Sequence, residues 1–247
     1  MSGHSKWANI KHRKGKTDAL RGKLFAKLSR EIIMAVRQGG GPDPSGNSRL
    51  RLAIDKARSE NMPSDNIQRA IARGSGEQGG GRLEEVICEG YGPGGAAILV
   101  EAVTDNRNRT LPELRVLFQR HGGSLGEPGC VAWMFTEKGV IRVSHVSNEE
   151  KLTDLAIELG AEDIVPQEDG FEITTLPHDF EAVLKGLREA PFPIVSQEVA
   201  KIAKTSVPIE GEAAKKILDL MSALEEQEDV QNVYANFEVS DEHFVNQ

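Results

Sequence analysis

Cysteine and aromatic residues are scarce in this sequence, and long apolar runs are absent. The 247 residues include two cysteines, two tryptophans and two tyrosines. Cys88 and Cys130 are too few for a disulfide framework, and each lies in an apolar run, which predicts buried thiols in a reducing cytoplasm. Apolar runs such as 32–36 and 96–100 are far shorter than the ~20 residues of a membrane span. We therefore expect a cytoplasmic protein that makes no contact with a membrane.

Acidic residues are almost missing from the first thirty positions. This stretch has nine lysines and arginines against one acid, Asp18, and so carries +8 in a chain whose net charge is −8. No apolar segment follows the basic start, which argues against a secretory signal. A cationic end on an acidic body indicates a polyanionic partner for that end.

The residue types within the basic stretch are those that bind nucleic acids. Lysine and arginine neutralise phosphates, Trp7 offers a stacking surface for bases, and histidine can stack or donate a hydrogen bond. A solvated basic tail is the alternative, but such a tail has no use for an indole. The predicted nucleic-acid-binding residues are His4, Lys6, Trp7, Lys11, His12, Arg13, Lys14, Lys16, Arg21, Lys23, Lys27 and Arg30.

Helical periodicity continues to the glycine-rich linker at 74–81. Apolar spacing predicts helices over 17–38 and 48–61 and a third that ends at Gly74. In the first helix, Lys23, Lys27, Arg30 and Arg37 lie opposite the apolar stripe, which predicts one core face and one basic face. Three short helices joined by short turns indicate a small bundle.

Strands and helices alternate after the linker. A helix over 110–121 is predicted from a capping box of Thr110 and Glu113, and a strand over 130–135. From Gly139 the order is βαββαβ, which is typical of a ferredoxin-like domain. The elements on either side of that unit complete each other as one α/β domain.

The predicted fold class is therefore multidomain α and α+β. An N-terminal three-helix bundle precedes two α/β domains, one of which is ferredoxin-like and inserted in the other. The predicted domains are 1–76 for the basic arm and bundle, 82–137 plus 205–240 for the α/β domain, and 138–204 for the inserted domain.

Two apparent catalytic motifs lack the structural context that their chemistry needs. Gly90, Gly92 and Gly95 match G-x-G-x-x-G, but an apolar strand follows them instead of the helix that binds a dinucleotide phosphate. Ser124 sits in G-x-S-x-G, but its order is helix–turn–strand instead of strand–turn–helix. The six histidines and two cysteines show no metal-ligand spacing. We predict no catalytic residue, no metal and no cofactor.

The segment TDNRNRT (104–110) joins a strand to a helix and places Arg107 and Arg109 near a helix N-terminus, where anions bind favourably. In one interpretation the turn is structural and the arginines are solvated. In the other they form a second phosphate contact that faces a cleft between domains.

Four segments resemble the YebC/PmpR family: GHSKWANIKHRK (3–14), RLAIDKARSENMPSDNIQRAI (51–71), EGYGPGG (89–95) and TDNRNRT (104–110). The resemblance implies a helical bundle and two α/β domains around a cleft, with the third domain inserted in the second. Bacterial members bear the label of probable transcriptional regulators, and a mitochondrial relative is a translational activator of cytochrome c oxidase. Members are described both as DNA-binding regulators and as ribosome-associated factors that ease translation of proline-rich stretches.

These observations predict a non-enzymatic nucleic-acid-binding regulator of gene expression. Two versions stay open: a DNA-binding transcriptional regulator, and a translation factor that acts on ribosomal RNA or the ribosome. The alternative is a small-molecule sensor or enzyme that uses the inter-domain cleft. The sequence leaves the oligomeric state open.

Overall fold

Three helices form the first part of the structure, a computed structural model that describes residues 18–76, 82–146, 148–167 and 169–239. They are α1 (Asp18–Gln38), α2 (Ser48–Ser59) and α3 (Ser64–Gly74). The Asn47 side chain caps α2 by accepting the Leu50 N–H at 2.9 Å, which satisfies one of the N–H groups that a helix start leaves unpaired. Their shared core contains Leu28, Ile32, Val36, Leu50, Ile54 and Ile67.

A four-stranded sheet follows, with one face covered by two helices. The strands are β1 (Glu84–Tyr91), β2 (Ala97–Thr104), β3 (Ser124–Leu125) and β9 (Val230–Ala235), in the spatial order β3-β1-β2-β9. All neighbouring pairs are antiparallel. The helices are α4 (Arg107–Arg120) and α7 (Gly211–Glu226). Their core with the sheet includes Val86, Ile98, Val100, Leu114, Phe118, Leu218 and Met221.

A second four-stranded sheet has its own core. Its elements are β4 (Phe135–Ser144), α5 (Glu149–Glu158), β5 (Asp163–Gln167), β6 (Gly170–Thr175), α6 (Phe180–Glu189) and β7 (Ile194–Ala203). The strand order is β5-β6-β4-β7, and this βαββαβ sequence of elements is that of ferredoxin-like folds. Buried side chains include Ile141, Leu152, Ile173, Phe180, Val183 and Leu187.

The chain divides into two compact units. One comprises the described residues up to Met134 together with those from Ala203 onward, and the other is Phe135–Ile202. The first unit also holds the short parallel pair β8 (Val207–Pro208) and β10 (Phe237–Glu238). Helices and antiparallel sheets confirm the mixed α and β class, whereas the division into three domains stays a prediction.

Two predicted elements were wrong in detail. The helix predicted at 110–121 begins three residues earlier, at Arg107, because Asn106 is the capping residue and its side chain accepts the Arg109 N–H at 3.2 Å. The segment predicted as a strand at 130–135 forms a 3₁₀ turn over Ala132–Met134 instead. The N–H groups of Val131 and Ala132 donate to the distant carboxylate of Glu89, so they are not available to pair with another strand.

Candidate nucleic-acid interface

Most of the predicted binding residues lie outside the described residues, and their role stays a prediction. These are His4, Lys6, Trp7, Lys11, His12, Arg13, Lys14 and Lys16. The structure places the remaining six, on α1 and at the start of α4.

Helix α1 is covered on two sides. One side packs against α2 and α3, and the helix also contacts β9 of the first sheet. At 100° per residue, Met34 shares the arc of Lys27 and Arg30, and Met34 is buried outside both apolar cores of this unit. Leu99 and Tyr234 on the sheet are likewise buried outside those cores. Part of the basic face predicted for this helix therefore lies against the sheet, on the face that α4 and α7 do not cover.

Two cations of that face bind carbonyl groups at the end of α7 and in the turn that follows it. The Lys27 ammonium donates to the carbonyl oxygen of Glu225, and the Arg30 guanidinium donates to that of Glu228. Arg30 also lies 3.6 Å from the carboxylate of Asp229. Carbonyl groups at a helix C-terminus lack intrahelical partners and carry the negative end of the helix dipole. The Lys27 contact therefore satisfies a carbonyl group of α7, the Arg30 contact binds the turn after the helix, and both attach α1 to the sheet layer.

The cations one turn earlier on α1 have a different environment. Arg21 and Lys23 are exposed. Positive charge is thus presented to solvent at the beginning of α1, directly after the basic residues 4–16, and by the exposed Arg37 in its last turn.

Asp229 is the centre of a buried polar network. Its carboxylate is 2% exposed and accepts hydrogen bonds from Thr110 Oγ1 at 2.7 Å, Arg109 at 2.8 Å and Thr104 Oγ1 at 3.2 Å. Burial alone would raise the pKa of Asp229, but the Thr110 hydroxyl, Arg109 and Arg30 together hold it below its usual value. Asp229 is therefore an anion that four side chains from three elements share.

Most residues of the segment 104–110 have a structural role in this network. Thr104 and Thr110 point into it, and Arg109 joins Asp229 while lying 3.1 Å from Asp105. Arg107 differs, because it is exposed and no described residue forms an ion pair with it. Asp229 lies 120 residues from Arg109, and no local sequence signal links the two.

A second buried carboxylate, Glu89, holds the loop that follows β3. It accepts the backbone N–H groups of Gly129 at 2.6 Å, Val131 at 2.7 Å and Ala132 at 2.7 Å. Burial by itself would raise the pKa of Glu89, but these three donors hold it below its usual value. The sequence contained no signal for this loop anchor beyond an acid next to Cys88 and Gly90, which are buried with it in β1.

The glycine-rich segment after Glu89 is the close-packed turn of the hairpin that β1 and β2 form. A Cβ on Gly92 would collide with Ile217 of α7, and Gly94 has a φ of +74°, a conformation that favours glycine. The glycines let α7 approach the turn between β1 and β2.

The described ranges contain neither a cluster of metal-ligating side chains nor a helix fit to span a membrane. No group of three or more His, Cys, Asp or Glu residues is arranged to hold a metal ion. No described helix combines the length and apolar character that a membrane span requires.

Family models match almost the whole chain. Residues 5–77 match the model of the TACO1/YebC protein N-terminal domain, and residues 83–237 match that of the TACO1/YebC second and third domain. Two curated relatives are each named "Probable transcriptional regulatory protein". The one from Pelotomaculum thermopropionicum is 55% identical over 98% of this chain and 100% of its own length. The one from Dictyoglomus turgidum is 54% identical over 98% of both chains.

A solved structure also resembles the chain over its length. The crystal structure of a conserved hypothetical protein from Aquifex aeolicus matches with a TM-score of 0.86 and 50% sequence identity. The match covers 96% of this chain and 98% of the Aquifex chain.

Proposed function

Because the chain belongs to the TACO1/YebC family, we propose that it is a nucleic-acid-binding regulator of gene expression that acts through its basic N-terminal stretch. The observation that carries the proposal is the charge distribution: residues 1–30 hold nine cations and one acid in a chain of net charge −8. Such a stretch attracts phosphate, and the acidic remainder confines the attraction to one end. The regulatory names of the relatives support the same reading.

The surroundings of α1 support binding through the basic N-terminal stretch instead of through a helix inserted in the major groove. A recognition helix must present a free face to the major groove, whereas α1 contacts helices on one side and β9 on another. The proposed phosphate track therefore runs along residues 6–16 and continues to Arg21 and Lys23. Phosphate binding by Lys27, Arg30 or Arg109 would require exchange of their present partners.

We place structured RNA, ribosomal RNA in particular, ahead of duplex DNA as the target. Lysine and arginine position a phosphate backbone without identifying bases, and Trp7 and His4 suit unpaired bases that are splayed out of a helix. In this version the protein is a translation factor that eases difficult, proline-rich stretches. The specific observation that favours DNA is the shared name of the relatives, which refers to transcription.

The first test measures how binding depends on salt. Replacing Lys11, Arg13, Lys14 and Lys16 by alanine is expected to flatten the slope of log K against log salt by about 3, because each phosphate contact contributes about 0.7–0.9. Binding is followed by fluorescence anisotropy with a labelled structured RNA and with a DNA duplex of equal length.

The matched control removes four exposed cations elsewhere: Arg120, Lys151, Lys185 and Lys215. It changes the net charge equally, and we expect it to leave the slope almost unchanged. Equal slopes for both quadruple variants would refute the proposed track.

Crosslinking in growing cells, with Trp7→Ala as the comparison, then separates the two targets. Enrichment at a few promoters, with ribosomal RNA at background, would refute the RNA version.

A further inference from the structure

Two aromatic side chains outside the basic stretch share one hydrogen-bond acceptor. Trp133 is 63% exposed and Tyr91 is 38% exposed. The Trp133 Nε1–H donates to the Cys130 carbonyl at 3.1 Å, and the Tyr91 hydroxyl donates to the same oxygen at 3.2 Å. The polar atoms of both rings are thus satisfied inside the protein, and the apolar surface of the rings remains for a partner.

The loop that carries this carbonyl is anchored on both sides of Cys130. Glu89 accepts the N–H groups of Gly129, Val131 and Ala132. Cys130 itself donates its N–H to the Glu127 carbonyl at 3.2 Å. A ring held in place before binding loses little conformational entropy when a partner stacks on it.

A cation lies beside the indole. The Lys204 ammonium donates to the Trp133 carbonyl at 2.8 Å, and the Lys204 backbone N–H donates to the Met134 carbonyl at 2.9 Å. Lys204 is exposed, and an ammonium has three N–H groups. Its other two have no partner among the described residues. The site therefore joins a fixed stacking surface to a cation, the pair of features by which proteins bind single-stranded nucleic acid.

We propose that Trp133, Tyr91 and Lys204 form a second nucleic-acid contact, which binds one unpaired nucleotide with its base on Trp133 and a phosphate at Lys204. This inference rests on the proposed function and adds a site far from the basic stretch in sequence. An unpaired nucleotide is required because bases within a duplex are stacked on each other and leave no face for the indole.

The small extent of the apolar surface favours a nucleotide over a protein partner. The next exposed apolar side chain on the same strand face is Ile87, which is 55% exposed and lies about 13 Å from Tyr91 along β1 at 3.3 Å per residue. A stable protein interface takes about 800 Å² from each partner. Two aromatic rings and one ammonium match a single nucleotide instead.

The test uses tryptophan fluorescence, since the chain has only two tryptophans. In the full-length Trp7→Phe protein, Trp133 is the only one, so its quenching by a short oligouridylate reports stacking at this site. The comparison ligand is an RNA duplex of the same length, and affinity is measured in parallel by anisotropy of a dye-labelled oligouridylate. We expect the single strand to quench Trp133 fluorescence more strongly than the duplex does.

Substitutions in the same background separate stacking from apolar contact. Trp133→Leu is expected to weaken oligouridylate binding about 5- to 150-fold, whereas Trp133→Phe retains most of the affinity because it keeps an aromatic face. Lys204→Met should reduce the salt slope by about 0.7. Val116→Ala, at an exposed apolar position on α4, should change neither readout.

The outcomes distinguish this inference from the proposed function. If the oligouridylate binds but Trp133 fluorescence and the Trp133→Leu affinity are unchanged, the second contact is refuted and the proposed function stands. If Trp133→Phe and Trp133→Leu lose affinity equally, base stacking is refuted. If the protein self-associates through Trp133, a second copy is the occupant and the inference is wrong. If the unsubstituted protein, with Trp7 in place, binds no nucleic acid at all, both proposals fail.

Discussion

At the residue scale, the two most informative side chains are buried carboxylates that sequence patterns did not single out. Asp229 collects hydroxyl and guanidinium donors, and Glu89 collects three backbone N–H groups. A buried charge is tolerated only when it is fully paired. Each carboxylate therefore commits a distant segment to one conformation: the start of α4 around Asp229, and the loop 129–132 around Glu89.

Glu89→Gln should destabilise the protein by about 2 kcal/mol near neutral pH, because an NH₂ group replaces an oxygen that accepts backbone N–H groups. The effect depends on pH with a defined sign. The folded pKa of Glu89 is lowered, so its stabilisation is complete above the unfolded value of about 4.3 and is lost as the pH falls through the folded pKa. Urea unfolding at a series of pH values measures the difference.

Glu84→Gln is the matched control for this prediction. Glu84 lies on the same strand and is exposed, so its substitution should change the free energy of unfolding very little. A Glu89→Gln penalty that does not shrink toward low pH would contradict the assigned role of the carboxylate.

At the element scale, α1 is both part of the helical core and a cover for the sheet. Its apolar side packs with α2 and α3, while Lys27 binds the end of α7 and Arg30 binds the turn after it. The same residue type thus has two environments one turn apart, with Lys23 in solvent and Lys27 on a helix end. Some cations of this helix consequently have a structural role, and others are available to bind phosphate.

Lys27→Met and Lys23→Met should separate these two parts. Lys27→Met is expected to lower the free energy of unfolding by about 1 kcal/mol, because it removes a cation from a helix C-terminus, and to leave the salt slope of nucleic-acid binding unchanged. Lys23→Met should leave stability unchanged and reduce the slope by about 0.7–0.9. Urea unfolding and anisotropy titrations supply the two readouts. A slope reduction by Lys27→Met equal to that of Lys23→Met would place Lys27 in the binding site.

At the scale of the whole molecule, each of the two units has a core of its own. The first unit contains the cores of the bundle and of the first sheet, and the segment Phe135–Ile202 encloses buried side chains such as Ile141, Leu152 and Phe180. The chain leaves the first unit after Met134 and re-enters it at Ala203. Separate cores predict that each unit folds without the other.

Excision of 135–202, with a short Gly/Ser bridge from Met134 to Ala203, should leave a remainder that unfolds cooperatively. The bridge is short because the Lys204 N–H donates to the Met134 carbonyl at 2.9 Å. The excised segment, produced alone, should also show a cooperative thermal transition. Circular dichroism and calorimetry measure both pieces. A molten remainder, or a segment that stays unfolded, would refute the independence of the units.

The sequence by itself determined the charge asymmetry, the order of most helices and strands, and the absence of nucleotide or nucleophile motifs in their required contexts. These properties are local: helical and strand periodicity is set by neighbouring residues, and a glycine-rich turn between two strands is recognisable within a few positions. For the same reason the βαββαβ order from Gly139 was predictable.

Only the tertiary structure decided which polar groups meet. Three pairs of contacting groups are far apart in sequence, so no periodicity links them. They are Asp229 with Arg109, Glu89 with the loop 129–132, and Lys27 with the end of α7. The strand predicted at 130–135 was wrong because the distant Glu89 carboxylate binds the N–H groups of Val131 and Ala132. The helix start predicted at Thr110 was wrong for a local reason, since Asn106 caps the helix through the Arg109 N–H three residues later. A helix face that is basic in a helical projection is partly buried when the helix packs on the second face of a sheet. Only the folded chain determines whether such a face meets solvent or the sheet.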